Sequence, residues 1–137
     1  MPAYQLPPWG GPLAPLSTLT VSWGLGRERV RAVLDSGADY TQVPTRVVRA
    51  LGLRRVGERN VETADERRRQ VLPTYIANIE LENVVFEGVV IIGSDDFTPN
   101  GDAWALVGRD ILNEAVVLDG PSKSFTVSAP TRRPASG

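Results

Sequence analysis

The feature of the sequence that most constrains its fold is a two-residue alternation of apolar and polar side chains in short runs. The clearest runs span residues 19–23, 30–34 and 75–81, and turn residues such as Gly24 and Gly26 separate them. Alternation with this period predicts half-buried strands. Shorter strands are predicted at residues 40–43, 83–87, 89–92, 103–108, 115–118 and 124–127. Many short strands with turns between them predict an all-β fold that is closed or nearly closed.

Two segments favour helices. The first follows Pro44 and ends at Gly52, where a glycine just after the last helical residue is a common stop signal. The second spans residues 109–114. Residues 54–82 form a long hairpin with a charged tip, and Gly88 indicates a bulge in the next strand.

Size and composition exclude several kinds of chemistry. The chain has 137 residues, of which 42% are hydrophobic, and this is typical of one globular domain. It contains neither cysteine nor histidine. Disulfides, thiol nucleophiles, Ser–His–Asp triads and zinc sites with Cys or His ligands are therefore excluded. Acid–base chemistry near neutral pH must use carboxylates, Lys or Tyr.

Net charge and the N-terminal sequence bear on the partners and the location of the protein. The net charge is −1, so we expect neither a nucleic-acid nor a membrane partner. The N-terminus lacks a basic segment followed by an apolar one, which favours a cytoplasmic location. A calcium-loop frame that starts at Asp96 places Val107 where a glutamate is needed, so we expect no metal and no cofactor.

Proline content divides the chain into three parts. Residues 1–16 form a Pro-rich arm, residues 17–128 the folded domain, and residues 129–137 a flexible tail. The arm is either a disordered tail or a segment that pairs with a partner chain. Tyr4 and Trp9 favour the second alternative, because they give the arm apolar surface to bury.

Residues 33–39, Val-Leu-Asp-Ser-Gly-Ala-Asp, are the strongest candidate for a functional site. A strand that ends on Asp35 and turns at Gly37 delivers a carboxylate to a place where backbone N–H groups can hold it. Alone, Asp-Ser-Gly also opens ordinary loops. A second segment, residues 105–112, runs from an apolar strand into Gly108 and a helix that carries Arg109.

Together these two segments resemble the retropepsin family, the retroviral-type aspartic proteases and their bacterial and retrotransposon relatives. In that family a hydrophobic-hydrophobic-Asp-Ser/Thr-Gly-Ala turn precedes a flap hairpin, and hydrophobic-hydrophobic-Gly and a helix follow. The matching pieces here are residues 33–38, 54–81, 106–108 and 109–113. The resemblance covers about residues 17–128. It implies a closed acid-protease barrel with a flap hairpin and one or two short helices.

The resemblance implies a homodimeric aspartic endopeptidase that acts on peptides or proteins. The chain carries one Asp-Ser-Gly, whereas the chemistry needs two carboxylates that share a proton, so each chain would supply one Asp35. The ionised carboxylate would take a proton from a bridging water, and the protonated one would stabilise the oxyanion. The alternative is a non-catalytic module of the same fold that dimerises or binds peptides.

The resemblance also implies roles for the neighbours of Asp35. Ser36 would hold the matching turn of the partner chain, and Gly37 would direct an N–H toward the carboxylates. Ala38 would leave room for substrate, and Asp39 would meet the substrate main chain. Two further residues support the site from the late segment: Gly108, and Arg109 as an internal ion pair with Asp39.

The flap is where the sequence departs from the family. Retroviral flap tips are rich in glycine, but here Thr63, Ala64 and Asp65 lie at the expected tip, and no glycine occurs between Gly57 and Gly88. Such a tip would be stiffer and would close differently over a peptide. Trp104 either lines the pocket or packs in the core, and we favour the core.

Overall fold

The computed structural model describes residues 2–62, 69–99 and 101–129, and these residues confirm the predicted all-β fold. Within them the chain forms nine strands and two short helices. The strands are β1 (Leu16–Trp23), β2 (Gly26–Leu34), β3 (Gln42–Val43), β4 (Arg55–Glu62), β5 (Arg69–Leu81), β6 (Val84–Gly93), β7 (Ala105–Val107), β8 (Val116–Asp119) and β9 (Ser124–Val127). The helices are α1 (Thr45–Leu51) and α2 (Arg109–Ala115).

Six strands close into a barrel. The hydrogen-bonded order is β1-β2-β7-β3-β6-β5, and β1 pairs with β5 to complete the ring. The closing pair is antiparallel, with Leu19 opposite Leu81 and Val21 opposite Ile79. Closure leaves no free sheet edge around the ring, which agrees with the expectation from many short strands. Strand β4 extends this sheet as the outer strand of the β4–β5 hairpin.

The core fills the barrel because the alternating positions of each strand point inward. On β2 the side chains of Val30, Ala32 and Leu34 are buried, whereas Arg29 and Arg31 are exposed. Strand β7 repeats this pattern, with Ala105 and Val107 buried, whereas β1 and the end of β6 bury consecutive residues. The largest fully buried side chains include Leu19, Val21, Ile79, Leu81, Ile91, Ile92 and Phe125.

Two glycines act as predicted. Gly52 follows α1 with φ of 59°, and its N–H donates to the carbonyl of Arg49, so it ends the helix in the left-handed conformation. Gly88 lies in a bulge of β6, because Ala77 pairs with Val89 whereas Ile79 pairs with Phe86. The φ of 63° at Gly88 suits a glycine in this bulge.

Helix α1 receives its N-terminal hydrogen-bond acceptor from a distant loop. Pro44 occupies the N-cap position and provides no side-chain acceptor. Instead, Oδ1 of Asp95 accepts the backbone N–H of Thr45 at 2.9 Å, and Oδ2 accepts the Thr45 hydroxyl. These two hydrogen bonds from Thr45 hold the pKa of Asp95 below its ordinary value of 3.8. A carboxylate at this helix end also complements the helix dipole.

The N-terminal arm forms backbone hydrogen bonds with its own chain, and its pairing with a partner chain stays a prediction. Ala3 bridges to Ser124 of β9, the Tyr4 N–H donates to the Lys123 carbonyl at 2.7 Å, and the Phe125 N–H donates to the Pro2 carbonyl at 3.0 Å. The arm thus forms an isolated β-bridge beside the two-stranded β8–β9 sheet. The Tyr4 ring also packs against the buried Phe125 ring, which gives the arm apolar surface to cover.

Candidate active site

The strand topology places Asp35 at the end of the short strand β7. Strand β2 runs parallel to β7, with Leu34 opposite Val107, and the Asp35 N–H donates to the Val107 carbonyl at 2.9 Å. Strand β7 lies between β2 and β3. The chain therefore leaves β2 at Asp35, turns around the end of β7 and continues on its far side as β3. Such a turn is fixed by strand pairing on both sides.

The Asp35 carboxylate is held by the turn that follows it. Its Oδ1 accepts the Gly37 N–H at 2.8 Å, and the Ala38 N–H donates to the Asp35 carbonyl at 3.1 Å. Asp35 is half-buried, whereas Ser36 and Gly37 are exposed. A Cβ atom at Gly37 would lie 3.1 Å from Asp35 Oδ1, so a larger residue would crowd the carboxylate. The turn thus orients the carboxylate and leaves it accessible.

Helix α2 secures the rest of the turn through its first residues. The Arg109 N–H donates to the Ala38 carbonyl at 2.8 Å, and the Asp110 N–H donates to the Asp39 carbonyl at 3.2 Å. These are N–H groups of the first helical turn, which have no acceptor within the helix. The N–H groups at the start of α2 therefore find their acceptors in the carbonyl groups of the Asp35 turn.

The structure brings Arg109 and Asp39 together as an ion pair. The Arg109 guanidinium contacts Asp39 Oδ1. The expected internal position is wrong, however, because the two side chains remain 51% and 62% exposed. They lie on the outer side of the turn, where water screens their attraction, and such pairs contribute about 0–1 kcal/mol.

A buried hydrogen-bond network behind the turn was not predicted from the sequence. The Thr41 hydroxyl donates to Asp110 Oδ1 at 2.8 Å and accepts the Gly108 N–H at 3.2 Å, and the Thr41 N–H donates to Asp110 Oδ2 at 3.1 Å. Thr41 is fully buried. The sequence signal was a threonine within the predicted strand at residues 40–43, together with an acid in the first turn of α2.

Gly108 has a steric role in the same network. A Cβ atom there would lie 2.6–2.8 Å from the backbone C, N and O atoms of Tyr40. Only glycine therefore allows α2 to approach the segment that leads from the Asp35 turn to β3. This agrees with the supporting position expected for Gly108.

Two predictions concern the surroundings of the turn. The predicted flap residues Thr63, Ala64 and Asp65 lie outside the described residues, although the β4–β5 hairpin that would carry them is present. From β4, the Arg59 guanidinium lies 4.1 Å from the centre of the Tyr40 ring. Trp104 is buried, with 7% of it exposed, but its ring packs against Trp9 and Phe97 and is not among the residues of the main core cluster.

Within the described ranges, residues 2–62, 69–99 and 101–129, no three Asp or Glu side chains are grouped so that they could hold a metal ion. No helix described there has both the length and the apolar character needed to span a membrane.

Comparison with known proteins identifies the class of this fold and then the family. The barrel with its wrapped Asp35 turn is the retropepsin-like aspartic protease fold. A family described as gag-polyprotein putative aspartyl protease matches residues 22–114, and the chain belongs to this family. No curated protein matches the chain.

Solved structures show the same fold at low sequence identity. The retroviral protease-like domain of Ddi1 from Leishmania major is similar with a TM-score of 0.53 and 13% identity, over 85% of this chain and 90% of that one. The foamy viral protease-reverse transcriptase in complex with an RNA/DNA hybrid has a TM-score of 0.54 and 12% identity, over 73% of this chain. This chain covers only 12% of that viral chain.

Proposed function

We propose that the protein is a homodimeric aspartic endopeptidase in which two Asp35 carboxylates, one per chain, activate the water that attacks a peptide bond. The observation that supports this most directly is the Asp35 turn. Its carboxylate is oriented by the Gly37 N–H and stays accessible, at a position that the fold fixes through strands on both sides. Membership of the aspartyl protease family supports the same chemistry.

The proposed dimer follows from the number of carboxylates at the turn. Among the described residues, Asp35 has no second carboxylate as a hydrogen-bond partner, and its recorded side-chain bond goes to the Gly37 N–H alone. Aspartic-protease chemistry needs two carboxylates that share one proton. A two-fold axis beside the exposed Ser36 and Gly37 would bring the second Asp35 to the first and place the Ser36 hydroxyl against the partner's turn.

The mechanism divides the work between the two carboxylates. The ionised Asp35 accepts a proton from the bridging water while the water oxygen attacks the peptide carbonyl carbon. The protonated Asp35 donates a hydrogen bond to the developing oxyanion. Collapse of the tetrahedral intermediate breaks the C–N bond, and the proton gained from water passes to the leaving amine. The dyad then returns to one shared proton.

The test is cleavage of a peptide library between about pH 4 and 7 by the wild type and by Asp35→Asn, with the solution mass of each measured in parallel. Asp96→Asn, which makes the same change on an exposed loop, serves as the matched control. We expect cleavage by the wild type and by Asp96→Asn, loss of cleavage in Asp35→Asn, and twice the chain mass. Equal cleavage by Asp35→Asn rejects the assignment of Asp35, and an active monomer rejects the shared dyad. Peptide binding without cleavage would instead support the non-catalytic module.

A further inference from the structure

The middle of the N-terminal arm forms a closed loop. Gln5 and Ala14 exchange two backbone hydrogen bonds, with the Gln5 N–H donating to the Ala14 carbonyl at 2.8 Å and the Ala14 N–H donating to the Gln5 carbonyl at 2.9 Å. The Gly10 N–H donates to the Pro7 carbonyl at 3.0 Å and tightens the tip. We call residues 5–14 the arm loop. Its shape is fixed by its own backbone.

The arm loop leaves the barrel beside the Asp35 turn. The Leu34 N–H donates to the Pro15 carbonyl at 2.9 Å, and Leu16 pairs with Val33. The base of the loop therefore lies next to the last two residues of the strand that ends at Asp35.

The tip of the arm loop carries Trp9 onto two other aromatic rings. The ring centre of Trp9 lies 6.0 Å from that of Phe97 and 5.9 Å from that of Trp104, and both contacts are edge-to-face. Phe97 and Trp104 also contact each other at 6.5 Å. We call these three residues the aromatic cluster. Trp104 is buried, but 46% of Trp9 remains exposed.

The aromatic cluster and Asp35 lie on the same face of the sheet. On β2, Ala32 and Leu34 point into the core, so Arg31 and Val33 lie on the opposite face, and Asp35 continues this alternation just past the end of the strand. Ala32 pairs with Ala105, which places Trp104 opposite Arg31, and the Arg31 guanidinium lies 4.8 Å from the centre of the Trp104 ring.

The length of the strand gives the spacing between the cluster and the proposed chemistry. Arg31 precedes Asp35 by four residues, or about 13 Å at roughly 3.3 Å per residue. An extended peptide advances by the same amount per residue, so a side chain about four positions from the scissile bond would reach the aromatic cluster.

We propose that the arm loop is a specificity element: the exposed part of Trp9 binds an aliphatic or aromatic substrate side chain about four residues from the scissile bond. This rests on the proposed peptidase function. Two other apolar residues of the arm loop, Leu6 and Leu13, are also exposed, at 70% and 43%. The substrate is the occupant that this surface favours, because the half-buried Val33 links the aromatic cluster to Asp35 along one face. Trp9 is thus a binding residue and takes no part in proton transfer.

The experiment compares the 137-residue wild type with Trp9→Ala and Trp23→Ala. Trp23 is 45% exposed, nearly the same as Trp9, and lies at the opposite end of β2 from Asp35. Peptides with one fixed scissile pair carry Leu, Phe, Ser or Gly at positions two to five on either side. The measured quantity is the ratio of kcat/KM for the apolar peptide to that for the polar peptide at each position.

We expect the wild type and Trp23→Ala to prefer Leu or Phe over Ser by about tenfold at the position about four residues away, the discrimination that hydrophobic pockets give for small differences. In Trp9→Ala this ratio should fall to near one, because kcat/KM for the Leu and Phe peptides falls toward that for the Ser peptide. Trp9→Phe, which keeps a ring, should retain part of the preference. If Trp9→Ala does not fold, the preference measured for Trp9→Phe decides whether the ring at position 9 binds the substrate side chain.

A binding measurement separates failure of this inference from failure of the proposed function. The same peptides are titrated against Asp35→Asn and against the Asp35→Asn/Trp9→Ala double variant, where no cleavage step is needed. A preference for apolar peptides that depends on Trp9 supports the inference even if no chain cleaves them. The inference is overturned if wild type shows no apolar preference, if Trp9→Ala keeps it, or if Trp9→Ala alters only the mass of the assembly, since Trp9 would then contact a second copy.

Discussion

Asp35 and Asp110 both lie at the same turn, yet their carboxylates differ in the number of hydrogen bonds that they accept. Oδ1 of Asp110 accepts the Thr41 hydroxyl and the Ile111 N–H, and its Oδ2 accepts the Thr41 N–H. Among the residues that the structure describes, the Asp35 carboxylate accepts one hydrogen bond, from the Gly37 N–H. The Asp110 carboxylate is used in hydrogen bonds within the fold, whereas the Asp35 carboxylate has lone pairs left that can bind another group.

The difference separates a carboxylate that stabilises the site from one that can react in it. A hydrogen bond to a charged group contributes about 1.5–3 kcal/mol, so Asp110 should matter for stability. A general acid or base must instead exchange protons with substrate and water, and saturation by the fold would prevent this.

The largest effect is expected from exchanging the carboxylates for amides one at a time. Asp35→Asn should reduce kcat/KM by a factor on the order of 10³, since general acid–base groups contribute 10²–10⁴, and should change unfolding free energy by less than about 0.5 kcal/mol. Asp110→Asn places an N–H₂ group against the Thr41 N–H and should cost about 1–3 kcal/mol. Urea unfolding and peptide cleavage measure both quantities. If Asp35→Asn were strongly destabilised, Asp35 would also stabilise the fold, and the contrast with Asp110 would be wrong.

The next effect concerns the approach of α2 to the turn. Gly108→Ala places a Cβ atom 2.6 Å from the Tyr40 carbonyl carbon, and overpacking of this kind costs about 1–3 kcal/mol or more. Peptide cleavage should fall as well, because the turn must move. Gly120→Ala is the control, since a Cβ atom at Gly120 meets no atom within 4 Å. Equal urea midpoints for the two variants would show that α2 adapts and does not hold the turn.

Thr41→Val tests whether the network behaves as one unit. Valine keeps the shape of threonine but leaves Asp110 Oδ1 and the Gly108 N–H without their Thr41 hydroxyl partner. We expect a cost of about 1–3 kcal/mol for such buried groups. In a double-mutant cycle, the stability loss of the Thr41→Val/Asp110→Asn double variant should be smaller than the sum of the two single losses by about 0.5 kcal/mol or more. Additive losses would mean that Thr41 and Asp110 act separately, and Thr18→Val on the exposed face of β1 is the neutral reference.

Local signals predicted the elements that carry the site. The alternation of residues 30–34 predicted β2, the Asp-Ser-Gly sequence predicted the turn, and Gly52 and Gly88 predicted a helix end and a bulge. These features depend on neighbouring residues, so the sequence around each position contains the information. The late segment around Gly108 was found because it repeats a family pattern.

Contacts between distant residues were not predicted. Thr41 and Asp110 are 69 positions apart, and neither periodicity nor turn chemistry pairs them. The same applies to Ala3 and Ser124, whose pairing attaches the arm to its own chain. Exposure of the Arg109–Asp39 pair also depends on which side of the turn faces water. Such features arise from packing of the whole barrel.

The smallest effect is expected from a third carboxylate, Asp95. It accepts more than one hydrogen bond, like Asp110, but it is exposed, like Asp39. Its hydrogen bonds from Thr45 lower its pKa from 3.8, so its stabilising effect is complete above that pH and is lost as pH falls through the lower folded-state value. Asp95→Ala should cost about 0.5–1 kcal/mol at pH 7, the lower part of the range for capping residues because water screens an exposed group.

The pH dependence of this variant distinguishes hydrogen bonding from burial. Unfolding free energies of wild type and Asp95→Ala should converge as pH falls below 3.8, because protonation removes the same interaction that the substitution removes. Asp96→Ala, on the same loop, should show a smaller difference from wild type at pH 7. If the Asp95→Ala difference persisted unchanged at low pH, packing of the loop would be its cause. In that case the number of accepted hydrogen bonds would not explain the difference between Asp35 and the structural carboxylates Asp95 and Asp110.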